Sequence, residues 1–249
     1  MVKLSHFPLL LIMAAIMIAV GVAADDPQSN LVGKGCSPQQ YVNATAFTDN
    51  LDNVLQSLFL NLSADGFATS MQIDSGKTDP VYGLAVCRKY LNASECSQCV
   101  KEASTQAKAL CPPYNGARVH LDGCLLRYEN NTFYSEAVDG GDYVYCAGTN
   151  SSDAQAFLQR AHDLSAQLIT NASANDGYAV GSIDGSLYGL VQCWPSLTDS
   201  SCQLCMTQAQ NRLLTCSPQS EGRGLEAGCF MRYSTYSFFT DNPTSGMSL

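Results

Sequence analysis

Basic residues are scarce in this chain: 13 Lys and Arg stand against 22 Asp and Glu in 249 residues, for a formal net charge of −9. Nucleic-acid phosphates are bound by clustered Lys and Arg that release counterions, so no nucleic-acid partner is expected. Histidine is scarcer still. Only His120 and His162 lie beyond residue 24, which leaves a Cys/His nucleophile pair few candidates, and His120 itself reads as a polar strand residue. No glycine-rich phosphate loop opens a helix, no paired carboxylates stand apart from the scattered Asp and Glu, and nothing implies a cofactor, so an enzyme is not indicated. After residue 24 no stretch approaches the roughly 20 consecutive apolar residues of a membrane span.

The first two dozen residues differ from the rest. Lys3 and His6 precede an apolar run from Leu9 to Val22, followed by Ala23-Ala24 and the acidic pair Asp25-Asp26. This is the layout of a cleavable secretory signal over residues 1–24; an uncleaved signal anchor is the alternative. With the leader removed, no membrane insertion is expected and the chain belongs in the extracellular space. All 12 cysteines lie downstream of the leader, where an oxidising environment pairs thiols, so disulfides are the default reading. Cys96-x2-Cys99 and Cys202-x2-Cys205 superficially resemble zinc or redox motifs, but an even cysteine count in a secreted chain argues for bridges. Sequons at Asn43, Asn61, Asn92, Asn130, Asn150 and Asn171 mark six glycosylation candidates, whereas Pro243 disqualifies Asn242.

The chain repeats itself at an offset of 105 to 110 residues, large enough for each copy to be a domain. Tyr82-Gly-Leu-Ala-Val-Cys87, Cys96, Cys99, Cys111 and Cys124 match Tyr188-Gly-Leu-Val-Gln-Cys193, Cys202, Cys205, Cys216 and Cys229. Cys36 and Cys146 open the copies. Arg118 matches Arg223, Tyr128 matches Tyr233 and Phe133 matches Phe238. The expected domains span 30–135 and 140–242, and the short linker rich in Tyr, Asn and Gly keeps them in contact.

Periodicity gives the local structure. Phe47, Leu51, Val54, Leu55, Leu58, Phe59 and Leu62 predict an amphipathic helix over about 46–62, and Phe157, Ala161, Leu164, Leu168 and Ile169 its counterpart. A second helix is predicted from Glu95 to Leu110, with Cys96 and Cys99 on one face and Ser94, or Ser200 in the second copy, as cap. Strand character appears at 68–73, 81–87, 117–121 and 125–129. Val119 and Leu121 alternate with Arg118 and His120, as in an antiparallel strand with one covered face. Trp194, the lone tryptophan, reads as an exposed contact or a satellite of the core; Arg88 holds its place in copy one, so no shared packing role is implied. The fold class is α+β, two tandem domains with helices on one face of an antiparallel sheet.

Cys-x8-Cys-x2-Cys twice, each preceded by Tyr-Gly, with Gly116-Ala-Arg-Val119 before Cys124 and Tyr128-Glu129, resembles the plant salt-stress-response/antifungal domain. That domain occurs in ginkbilobin-type antifungal lectins, cysteine-rich receptor-like kinases, plasmodesmata-located proteins and cysteine-rich repeat secretory proteins; two domains behind a signal resemble the last group most. Six cysteines per copy allow 15 pairings, and spacing alone does not choose among them. The resemblance implies Cys36–Cys111, Cys87–Cys96 and Cys99–Cys124, then Cys146–Cys216, Cys193–Cys202 and Cys205–Cys229. It also implies two helices against a five-stranded sheet and three disulfides per domain.

The resemblance further implies a mannose site built from an Asn after the first cysteine, an Arg seven residues after the fifth and a Glu five after the sixth. In copy one these positions are Ser37, Arg118 and Glu129; in copy two they are Ala147, Arg223 and Ser234. A guanidinium donates to sugar hydroxyls and a carboxylate accepts from them, so copy one keeps the charged pair and copy two keeps only the arginine. The bland alternative for Arg118 and Glu129 is a cross-strand ion pair on the sheet surface. Two functions compete: an apoplastic defence lectin for mannose-containing glycans, and a non-lectin interaction module for cell-surface proteins such as receptor kinases, or for wall or plasmodesmata components.

Overall fold

The computed structural model describes residues 27–73 and 78–239; the signal peptide expected over 1–24 lies outside the described residues. The first domain comprises β1 (Leu31–Cys36), α1 (Ala44–Leu60), β2 (Phe67–Gln72), β3 (Val81–Cys87), α2 (Ala93–Leu110), β4 (Ala117–Leu121) and β5 (Cys124–Glu129). The second repeats the order with β6 (Tyr143–Asn150), α3 (Ala154–Ser173), β7 (Tyr178–Ile183), β8 (Leu187–Cys193), α4 (Asp199–Leu213), β9 (Gln219–Leu225) and β10 (Cys229–Ser234). Each domain is a five-stranded antiparallel sheet, ordered β1-β4-β5-β3-β2 and β6-β9-β10-β8-β7. β1 carries no periodic signal because two glycines interrupt Leu-Val-Gly-Lys-Gly-Cys and most of this edge strand is exposed.

The helices start where local side chains satisfy their free N–H groups. Asn43 Oδ1 accepts from the backbone N–H of Thr45 and Ala46, so α1 begins two residues before the predicted start. α2 is capped by Asn92 rather than Ser94: Asn92 takes the N–H groups of Ser94 and Glu95 while Glu95 reaches back to the Asn92 N–H, a reciprocal box. Thr198 rather than Ser200 caps α4. Phe47, Leu51, Val54, Leu55 and Leu58 bury the α1 stripe, while Phe59, on its flank, stays 44% exposed. The stripe packs with α2 on Ala85, Val119, Leu126 and Tyr128 of the sheet. All six expected disulfides are present, three within each domain, and among the described residues no cysteine is free. Bridges of this kind stabilise small domains by about 2–4 kcal/mol each.

The expectation of one covered face for β4 is corrected by the packing: all five of its residues are buried. The second face is covered by the other domain. Val32, Leu84, Val86, Leu125 and Phe133 form one cluster with Tyr178, Leu190, Trp194, Leu225 and Phe230 across the seam between the sheets. Gln192 stitches this seam, donating to the Cys87 carbonyl at 2.9 Å and accepting from the Lys89 N–H at 3.0 Å. Trp194 is 2% exposed and its indole N–H donates to the Ala227 carbonyl. Arg88 and Trp194, equivalent in sequence, do share a packing role: the Arg88 guanidinium lies 5.5 Å from the Trp194 ring and 3.7 Å from that of Phe230. Gly33 admits the close approach of the second domain, since a Cβ there would sit 0.8 Å from the Tyr143 hydroxyl.

Candidate functional site

β-Sheet register brings part of the expected triad together. The Ser37 N–H donates to the Gly116 carbonyl just beyond the β1–β4 ladder. Because Gly116 has no side chain, Ser37 and Glu129 meet above it: a Cβ there would lie 3.0 Å from Ser37 Cβ and 2.2 Å from Glu129 Oε2. Ser37 Oγ donates to Asn115 Oδ1 at 2.8 Å.

Arg118 does not join them as an ion pair. It lies opposite Arg127 on β5, and its guanidinium turns to the linker, where Nη1 donates to Asp139 at 3.2 Å and Asp142 at 3.1 Å and Nη2 to the second Asp139 oxygen. Glu129 instead accepts from Arg127 Nε at 3.2 Å, and Arg127 also pairs with Glu136. The cross-strand Arg118–Glu129 pair is therefore replaced by linker carboxylates that sequence separation hid. Burial opposes charge on both Arg118 and Asp139, but their contact outweighs it, raising Arg118 above its ordinary pKa and holding Asp139 down at about 2. Burial pushes Glu129 up against the pull of Arg127. Behind this network, Glu226 is buried beside Asp142, and burial together with that neighbouring carboxylate pushes it up to about 8. His120 is fully buried, with its ring edge-on to Tyr143, and desolvation followed by the field of Arg118 holds it well below its ordinary value.

The second copy has a carboxylate that residue-by-residue matching overlooked. Ser234 stands where Glu129 stands, but its cross-strand partner is Glu221, at the place of Gly116. The acid has moved to the neighbouring strand while keeping its position on the sheet face. Glu221 Oε1 lies 3.1 Å from Arg223 Nη2, accepts from Arg232 Nε at 3.0 Å and takes the Tyr236 hydroxyl at 2.9 Å. The signal was available: Glu221 aligns with Gly116 at the offset that aligns Arg223 with Arg118. Arg223 Nε also donates to Asp122 of the first domain at 2.8 Å. These groups border a cavity of about 800 Å³ at the domain seam, lined also by Ala147 and Tyr145. Arg118 does not line it.

Among the described residues no cluster of three His, Cys, Asp or Glu is arranged to hold a metal. Cys96 and Cys99 are bridged to Cys87 and Cys124, so the Cys-x2-Cys spacing carries no thiolate. No helix of the described residues is long and apolar enough to cross a membrane.

Comparison with known proteins gives a consistent relationship. The salt stress response/antifungal family matches twice, over residues 35–131 and 145–236. The Arabidopsis thaliana cysteine-rich receptor-like protein kinase 2 is 33% identical over 230 residues, 90% of this chain but 35% of that protein, so the chain spans about a third of the kinase. Plasmodesmata-located protein 8 of the same plant is 32% identical, across 85% of this chain and 77% of its own length. Cysteine-rich repeat secretory protein 38, also from Arabidopsis, is 28% identical over 95% of this chain and 96% of its own. The crystal structure of the tandem DUF26 ectodomain of the Arabidopsis cysteine-rich receptor-like protein PDLP8 superposes with a TM-score of 0.72 at 29% identity, over 84% of this chain and all of that one. With two matched copies and the same tandem fold, this chain belongs to the salt stress response/antifungal (DUF26) family.

Proposed function

We propose that the chain is a secreted, non-catalytic recognition module of plant defence and stress responses, working in the apoplast as a rigid ectodomain-like body toward cell-surface proteins and wall components. The observation that carries this reading is the shared sheet-to-sheet core, which holds both domains at one angle and so presents their surfaces as a single unit. The leader, the sequons and the paired cysteines support an extracellular setting. Biosensor binding to a panel of receptor-kinase ectodomains is the direct test: saturable binding to at least one is expected, and silence across the panel counts against the module.

A second reading, mannose binding at Ser37, Arg118 and Glu129, is favoured by the meeting of Ser37 and Glu129 over Gly116. Against it stand the linker aspartates on Arg118. A glycan array with wild type, Arg118→Ala and the pair Asp139→Asn/Asp142→Asn separates the two. The module reading expects no mannose signal from wild type; a wild-type signal lost in Arg118→Ala would put the lectin first. In that event the sequon at Asn130, beside Glu129, places a glycan over the site, and Asn130→Gln should bind mannan more tightly than the glycosylated chain.

A further inference from the structure

We propose that the cavity beside the start of α2 is the seat of an N-linked glycan on Asn92, whose core N-acetylglucosamine packs on Phe59 and reaches the 175–178 loop of the second domain. This assignment rests on the extracellular setting of the recognition-module reading and adds to it a modification site with a structural task. Asn92-Ala93-Ser94 is a sequon, and Asn92 lies exposed on the wall of a cavity of about 470 Å³, within the usual range for small-molecule sites. Its Oδ1 accepts from the Ser94 and Glu95 N–H groups at 2.9 and 3.0 Å, which fixes the amide and turns Nδ2, the atom that carries the sugar, away from the helix. Glu95 accepts from the Asn92 N–H at 2.9 Å and holds the backbone as well. A glycan here therefore leaves from a fixed base.

The walls suit an acetamido sugar. Phe59, 44% exposed, presents a ring to the C–H face of a pyranose, and Leu62 and Tyr178 line the same cavity. Asp65 of the first domain and Asn175 and Asp176 of the second stand exposed around it. Asn175 donates its Nδ2 to the Asn171 carbonyl, which leaves its Oδ1, like the two carboxylates, to accept from hydroxyls. One sugar–ring contact is weak, but a covalent tether holds the sugar at an effective concentration on the order of millimolar, so weak contacts suffice. The repeat supplies the contrast. Thr198, which takes no N-linked sugar, stands at the matching cap of the second domain, and the cavity beside the start of α4 has no aromatic side chain among the described residues that line it. Sequon and ring occur together in one copy and are missing together from the other. Asn43 caps α1 through the same pair of bonds in another sequon but lies outside the cavity.

Glycopeptide mass spectrometry of the full chain, secreted from cells that make high-mannose glycans, should find Asn92 occupied. On the native protein endoglycosidase H should release the Asn92 glycan at least about tenfold more slowly than glycans on the exposed Asn43 or Asn150. The rates should converge in denatured protein and in Phe59→Ala. Ser94→Ala deletes the sequon and keeps the cap, because Asn92 bonds the backbone N–H of residue 94. Hydrogen exchange at 175–178 should then quicken by about threefold or more, and should not change in Thr45→Ala, which deletes the Asn43 sequon. A bare Asn92 beside occupied sequons elsewhere, equal release rates on the native chain, or protection that survives Phe59→Ala would each overturn the proposal while the module reading stands. Exchange at 175–178 unmoved by Ser94→Ala, or moved equally by Thr45→Ala, would do the same. A secreted chain with no glycan at any sequon would overturn the assignment and count against the extracellular setting with it.

Discussion

Arg118 and Arg223 occupy the same place in two copies of one fold and meet different surroundings. Arg118 is closed over by Asp139 and Asp142 from the linker that follows its own domain. Arg223 is held by Glu221 on its own strand and Asp122 from the other domain, and it borders open space. Duplication preserved the backbone geometry, and the neighbours decided the electrostatics. The same asymmetry runs through Glu129 and Glu221, two carboxylates that reach equivalent places on the sheet face from adjacent strands.

The most damaging way to break the comparison is to hollow the seam that both domains share. Phe230→Ala should cost about 3–5 kcal/mol in urea unfolding. Trp194 fluorescence and far-UV dichroism should move together; loss of the second domain alone would mean that the seam does not couple them. Next in size are the paired disulfides. Removing Cys99–Cys124 or Cys205–Cys229 as double alanine variants should cost about 2–5 kcal/mol in either case. Their sequence separations are 25 and 24, so loop closure differs by well under about 0.1 kcal/mol. A gap above about 1 kcal/mol between the variants would show that the two domains are unequal in some other respect.

Glu226 sharpens the comparison through pH. Its pKa is raised to about 8 in the folded chain, so its contribution is fully present below the unfolded value near 4.5 and is lost as pH rises toward 8. Asp139, held at about 2, acts oppositely: its contribution is present above the unfolded value near 3.8 and is lost as pH falls toward 2. Thermal melts should therefore peak between about pH 4 and 5. Glu226→Gln should flatten the alkaline limb and stabilise the chain at pH 8 by about 1–3 kcal/mol; an unchanged slope would remove Glu226 from the linker network. The smallest effect compares caps. Asn92→Ala, which breaks a two-way box, should cost about 1 kcal/mol in unglycosylated protein, and Thr198→Ala, with one backbone bond, somewhat less.

Much of this architecture was legible because it depends on short-range spacing. The stripe from Phe47 to Leu58 and the β4 alternation have periods that neighbouring residues impose on one another. Phe59 was misplaced because it sits one residue beyond the buried face, where periodicity cannot distinguish flank from core. Asn92 rather than the expected Ser94 caps α2, since both side chains can accept from free helix N–H groups and only the Asn92–Glu95 reciprocity separates them. The covered second face of β4 could not be read from alternation, since an arginine under linker carboxylates and a histidine against Tyr143 of the second sheet spell the same pattern as arginine and histidine facing water.

The sequence alone determined that the chain is two copies of one stapled α+β unit, because hydrophobic period, cysteine number and repeat offset are properties of the chain in order. The tertiary structure decided which carboxylate each arginine meets. Arg118 finds Asp139 across 21 residues and Arg223 finds Asp122 across 101. Coulomb attraction follows distance in space rather than along the chain, and that distance exists only once the two sheets have packed face to face.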